Sequence, residues 1–201
     1  MSINSHLSEA ERALLESATI GIAGAGGLGS NCAAHLVRSG IKNLVIADYD
    51  HVAPSNLNRQ FFFPDQLGKL KVEALKENLL RIENCLNLVL CSEKLTKVNL
   101  PAVFHNCTIV AEAFDDAAAK EMFLEALLPT SKKLVSVSGV AGWGRSNAMK
   151  VRPVGKNLTL IGDYCSSEKK EAGIYSQSPR VGIAAAMQAN CIIALLLGKE
   201  L

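Results

Sequence analysis

A small set of side chains in the first 120 residues has the types and spacing to act together on a phosphate. Gly24, Gly26 and Gly29 make G-x-G-x-x-G within GAGGLGS. Glycines at that spacing permit a tight turn and let backbone N–H groups approach a phosphate. Gly27 and Leu28 fall inside the same turn, where a helix N-terminus adds partial positive charge. Asp48 closes the next apolar run, placed to bond a ribose hydroxyl, and Asp50 follows it. A polar segment comes next and includes SNLNRQ, with Asn56, Asn58, Arg59 and Gln60. Lys71 stands in LGKLK, and Asp115 and Asp116 follow a later apolar run.

Two cations and a carboxylate beyond a glycine turn suit a triphosphate with Mg²⁺ better than a dinucleotide. Arg59 would neutralise charge developing on phosphate oxygens, Lys71 would supply a second point charge, and Asp115 would hold the metal. Each has a plainer reading: a packing turn, a solvated surface lysine, a helix N-cap aspartate. Their order along the chain favours the functional one. The competing reading is an NAD-dependent oxidoreductase on the same fold. It needs a hydride-transfer site, and His6, His35, His51 and His105 show no such constellation.

The elements that must position these groups follow from apolar periodicity. TIGIAG (19–24) reads as a strand, NCAAHLVRSG as a helix stopped by Gly40, and NLVIAD (43–48) as a second strand. A helix is expected over DQLGKLKVEALKENLLRI, with strands at NLVLCS (87–92), CTIVAEAF (107–114) and KLVSVSGVAG (133–142). A helix is expected at DDAAAKEMFLEALL, and a final one at VGIAAAMQANCIIALLLG. The alternation predicts an α/β, doubly wound, Rossmann-like fold. Its sheet would be mostly parallel with helices on both faces, extended by less regular β structure toward the C-terminus. Ligands of such sheets bind beyond the carboxyl ends of the strands. The expected organisation is one domain over 1–201, with a helical N-terminal segment at 1–18 and a mobile crossover loop at 164–180.

Composition narrows the classes. Hydrophobic residues make up 49% of 201 residues, enough for a sizeable core. Lys plus Arg number 21 against 19 for Asp plus Glu, a net charge of +2, which predicts no nucleic-acid partner. The N-terminus lacks a secretory h-region, and the longest apolar segment is interrupted by Gln188 and Asn190. A soluble cytoplasmic protein with no membrane partner is therefore expected. Six cysteines without a C-x-x-C pair suggest reduced thiols, with Cys32, Cys107 and Cys191 in the core.

The combination GAGGLGS, Asp48-x-Asp50, SNLNRQ, Gly68-x-x-Lys71 and the aspartate after the fourth strand resembles the ThiF/MoeB/HesA family. These are the ubiquitin-activating-enzyme-like adenylyltransferases. SPRVGIAAAMQAN and its closing helix resemble the family too, so the likeness runs from about residue 19 to the end. It implies binding of ATP and Mg²⁺ and adenylation of the C-terminal glycine of a ubiquitin-like sulfur carrier ending in Gly-Gly. The family's ATP contacts carry over onto Gly26, Asp48, Asn56, Arg59, Lys71 and Asp115, and a homodimer is implied.

AFDDAAAKE and AAMQAN resemble the short thiamin-linked branch, which points to a ThiS-type carrier, with a MoaD-type carrier second. Bacterial members carry two C-x-x-C pairs that bind zinc; this chain has none, and no zinc is predicted. The upstream arginine motif of the family is reduced here to Arg12. Cys165, in the expected crossover loop near Lys169 and Lys170, is a candidate thiol for bonding the carrier. Trp143, the one tryptophan, is expected in the core as a lone aromatic, the alternative being a place in a carrier-tail groove around residues 140–180.

Overall fold

The computed structural model describes residues 7–167 and 174–201. Among these, seven strands form one sheet in the order β3-β2-β1-β4-β5-β7-β6. Strands β1 (Thr19–Ala23), β2 (Asn43–Ala47), β3 (Asn87–Cys91), β4 (Ile109–Glu112) and β5 (Lys133–Val137) are parallel neighbours. Strand β7 (Leu158–Gly162) continues the parallel set on β5, and β6 (Lys150–Val154) pairs antiparallel with β7. Strand order reverses between β1 and β4, the switch point at which a crevice opens in doubly wound sheets. The C-terminal β structure is a regular hairpin rather than an irregular extension.

The central strands read as continuous apolar runs because both faces are covered. Ile20, Ile22, Leu44, Ile46, Val110 and Val135 are almost wholly buried. Helix α1 (Glu9–Ser17) begins with a capping box in which the Ser8 hydroxyl accepts from Glu11 N. Helix α2 (Gly27–Arg38) follows β1 directly and packs chiefly against α6 (Ser178–Leu197). Helices α4 (Leu100–Val103) and α5 (Ala117–Leu127) join β3 to β5 by way of β4.

Helix α6 has the length and apolar composition to cross a membrane, yet half of its apolar window is buried in this fold. Its polar interruption explains why: Gln188 is wholly buried, and its amide donates to Glu112 O (2.9 Å) and Val135 O (2.8 Å) across the sheet.

One sequence expectation changes form. The helix foreseen from Asp65 is split into a 3₁₀ turn at Pro64–Gln66 and helix α3 (Lys71–Leu80). Gly68 separates them with φ +84°, a backbone conformation outside the right-handed helix. The break places Lys71 in the first turn of α3.

Candidate functional site

Beyond the carboxyl ends of β1, β2, β4 and β5 lies a cleft of about 730 Å³, within the ordinary range of ligand sites of about 300–1,000 Å³. Gly24, Gly26, Gly27, Leu28, Asp48, Asp50, Arg59, Gln60, Lys71, Asp115 and Asp116 all line it. Gly29, Asn56 and Asn58 do not, and shape the surroundings instead. A Cβ on Gly29 would stand 1.8 Å from Gly24 O, so only glycine lets α2 approach the end of β1 so closely. Asn56 Oδ1 accepts from Ala53 N at 2.9 Å, and Asn58 Oδ1 accepts from Arg59 Nη1 at 2.8 Å.

Gly24 has φ +101°, which turns the chain from β1 toward α2. Asp48 fastens that turn: Oδ2 accepts from Ala25 N at 2.6 Å, and Oδ1 accepts from Asp50 N at 2.8 Å. Burial raises its carboxyl pKa, against the opposing pull of the Lys71 ammonium and the two N–H donors. Lys71, whose plainer reading was a solvated surface charge, is buried, and its Nζ lies 2.8 Å from Asp50 Oδ2. Arg59 hangs over the start of α2, with Cγ 3.4 Å from where a Gly27 side chain would begin. Its guanidinium donates to Ser55 O at 3.0 Å as well as to Asn58.

The two aspartates divide their roles. Asp116 is the N-cap of α5, its Oδ2 accepting from Ala119 N at 2.9 Å, while Asp115 makes no such bond. The cap role foreseen as the alternative for Asp115 therefore belongs to its neighbour. Among the described residues no group of three or more His, Cys, Asp or Glu is arranged to hold a metal. Mg²⁺ is commonly held by one or two carboxylates plus substrate phosphates, so the exposed Asp115 at the cleft mouth fits as a single protein ligand. Gln60 supports a polar ligand: Oε1 is buried with no partner among the described residues.

Sequence reasoning missed two charge pairs built on buried carboxylates. Glu112 at the end of β4 is wholly buried, and Lys120 Nζ reaches both of its oxygens (2.9 and 3.0 Å) and Val137 O (2.9 Å). Those three bonds use all three ammonium donors. Glu112 Oε1 also accepts from Phe114 N (2.7 Å), bracing the turn that presents Asp115. The second pair is Arg180 with Asp163, Nη2 to Oδ2 at 2.7 Å, with side chains only 2% and 1% exposed. Arg180 further donates to Gly144 O at 2.7 Å. An acidic residue inside the run VAEAF and an arginine opening the apolar α6 were the available signals.

Trp143, expected in the core, is 68% exposed. It lies between β5 and β6 in a turn where Gly142 and Gly144 have φ +83° and +62° and Arg145 is left-handed at +52°. Trp143 borders a smaller cavity of about 360 Å³ together with Cys165. Cys165 is exposed, its Sγ 3.6 Å from Asp163 Oδ1 and 4.0 Å from Arg145 Nη2. Lys169 and Lys170 lie outside the described residues, as does His6. Cys32, Cys107 and Cys191 are core residues as expected, and burial pushes Cys107 and Cys191 up to about 11. Arg12 points to its own segment, donating to Leu7 O at 3.3 Å.

A glycine turn at the switch point of a doubly wound sheet, with an aspartate ending the next strand, defines a Rossmann-like nucleotide-binding fold. The chain belongs to the ThiF family, whose model matches residues 2–201. It is 26% identical over 190 residues to the adenylyltransferase and sulfurtransferase UBA4 of Candida glabrata, covering 92% of this chain and 43% of that protein. To ubiquitin-like modifier-activating enzyme 5 of Drosophila persimilis it is 51% identical over 61 residues, covering 30% of this chain and 16% of that one. The chain thus spans less than half the length of these curated relatives. Its fold matches tRNA N6-threonylcarbamoyladenosine dehydratase of E. coli, solved with ATP, at TM-score 0.88. Identity there is 18%, over 98% of this chain and 92% of that one. E. coli MccB with ATP matches at TM-score 0.71 and 21% identity, over 92% of this chain and 58% of that one.

Proposed function

We propose that the protein binds ATP in the 730 Å³ cleft and adenylates the C-terminal carboxylate of a ubiquitin-like sulfur carrier. The observation that carries this reading is convergence. Arg59, Lys71, the α2 N-terminus and Asp115 all face one cleft whose glycine turn is held by Asp48. A carrier carboxylate oxygen would bond to the α-phosphorus as the bond from that phosphorus to the β-phosphate bridge breaks, and pyrophosphate leaves with the electron pair. The nucleophile is ionised at neutral pH and needs no general base. Arg59 and Lys71 would relieve the repulsion between carboxylate and polyphosphate and stabilise charge on the leaving group. Mg²⁺ bound by Asp115 and phosphate oxygens would supply further charge neutralisation.

Within this class we put forward a ThiS-type carrier in thiazole formation, on the resemblance of AFDDAAAKE and AAMQAN to the thiamin-linked branch. A MoaD-type carrier comes second, and a cytoplasmic homodimer is the assembly we expect. The relatives bearing on this choice are named for sulfurtransferase and ubiquitin-like modifier functions, so a carrier panel decides it. The fold match to a tRNA-modifying enzyme supports a second reading, in which the activated carboxylate sits on RNA; the net charge of +2 speaks against it. NAD-dependent oxidation has no support in the charges lining the cleft.

The test is mass spectrometry after incubation with ATP and Mg²⁺, using ThiS-type and MoaD-type carriers ending in Gly-Gly and, separately, transfer RNA. A carrier–AMP adduct formed with one carrier supports the reading and names the carrier. An adduct on RNA alone replaces it with the second reading.

A further inference from the structure

We infer that Asn31 is a positioning residue for Arg59, an inference that rests on the nucleotide-binding reading above. Asparagine weakens a helix interior because its side chain competes for backbone groups. Asn31 nevertheless stands in the second turn of α2, and its Nδ2 makes two bonds. One goes back to Gly27 O at 2.6 Å, the other across to Arg59 O at 2.9 Å. The preceding residue works in parallel. The buried Ser30 hydroxyl donates to Gly26 O at 2.6 Å and accepts from Phe61 N at 3.0 Å. From α3, Asn78 donates to Phe61 O at 2.8 Å.

Three side chains from two helices therefore grip the main chain of residues 59–61. The guanidinium is held differently, by its own exposed loop through Ser55 O and Asn58 Oδ1. The root of Arg59 is fixed while its head can exchange those partners for phosphate oxygens. Of the three grips, the Asn31 bond bears on Arg59 itself and joins it to Gly27, the first residue of α2. Asn31 sets the distance between the arginine and the N–H groups at the helix N-terminus. It does not line the cleft itself; of its two bonds, the one to Arg59 O carries the positioning role, and the one to Gly27 O is kept constant in the test below.

The experiment is calorimetric binding of ATP and of adenosine, with Mg²⁺ present, to wild type, Asn31→Ser, Arg59→Ala and the double variant. Serine keeps the bond to Gly27 O in the manner of Ser30 and loses only the reach to Arg59; Asn31→Ala removes both. Asn31→Ser should weaken ATP about fivefold, the scale of one hydrogen bond, and leave adenosine unchanged. In the Arg59→Ala background the same change should cost nothing further. Equal losses for ATP and adenosine, or equal losses in both backgrounds, would overturn the inference while leaving ATP binding intact. If Arg59→Ala itself leaves ATP affinity unaltered, the phosphate role of Arg59 fails and that of Asn31 with it.

Discussion

Lys71 Nζ and Asp50 Oδ2 lie 2.8 Å apart, yet the lysine side chain is 8% exposed and the aspartate 51%. The pair is a buried cation reaching toward the cleft with its counter-charge in water. The stem packs at the start of α3, and Asp50 steers the ammonium. A polyphosphate entering the cleft would compete with a well-solvated carboxylate for a cation that is already desolvated.

Removal of that cation should spare the fold. Lys71→Met keeps the apolar stem and leaves only an exposed Asp50 without its partner. Adenylation should fall by about 10²–10³, the usual cost of one charge-stabilising group, with the thermal midpoint held within a few degrees. A variant with near-native turnover would remove Lys71 from the chemistry.

The glycine turn offers a graded steric test. Gly29→Ala places a Cβ 1.8 Å from Gly24 O, so the β1–α2 junction must open. It should lower the melting temperature and abolish ATP binding together. Gly68→Ala meets no atom within 4 Å but must adopt φ +84°, a strain of about 1–2 kcal/mol. That variant should melt earlier and still bind ATP. Equal ATP affinity in both would show that the close approach of the turn is not needed for the nucleotide.

Arg180 and Asp163 make a buried acid-sensitive element. Burial alone would raise the aspartate, but the N–H groups of Ser166 and Cys165 and the Arg180 guanidinium outweigh it and hold the carboxyl at about 2, below its ordinary 3.8. A depressed folded pKa contributes stability that is complete above 3.8 and is lost as pH falls toward about 2. Denaturant melts of wild type should show a loss across that window that Asp163→Asn lacks. At neutral pH, Arg180→Met should cost about 3–5 kcal/mol, as for a broken buried pair. A pH profile identical in wild type and Asp163→Asn would contradict the assignment.

Adenylation as drawn needs no thiol. Cys165→Ser should therefore retain carrier–AMP formation at the wild-type rate, even though Cys165 borders the smaller cavity beside Trp143. Loss of the adduct in this variant would place the thiol in the first chemical step.

How much of this was legible beforehand follows from the kind of physics involved. The parallel strands were readable because burial on both faces forces continuous apolar runs such as NLVIA. The glycine turn, Asp48, Arg59, Lys71 and Asp115 were readable because phosphate chemistry restricts residue types at fixed points of the fold. The split at Gly68 was not, since a helical apolar pattern ran through it and one left-handed glycine decided the break. Trp143 was misplaced because core packing is the ordinary role of a lone aromatic, and the run of positive φ around it could not be read from residue types alone. The pairs Glu112–Lys120 and Arg180–Asp163 join residues 8 and 17 positions apart, and only the folded chain shows that each buried charge has its partner. The Asn31–Arg59 bond, 28 residues apart, escaped for the same reason.

The central claim is tested most directly by ATP–pyrophosphate exchange with a ThiS-type carrier ending in Gly-Gly, comparing wild type with Arg59→Ala. The account predicts exchange that depends on the carrier and falls by at least about a hundredfold in the variant. Exchange that is absent with every Gly-Gly carrier while NAD binds tightly, or exchange untouched by loss of Arg59, would contradict it.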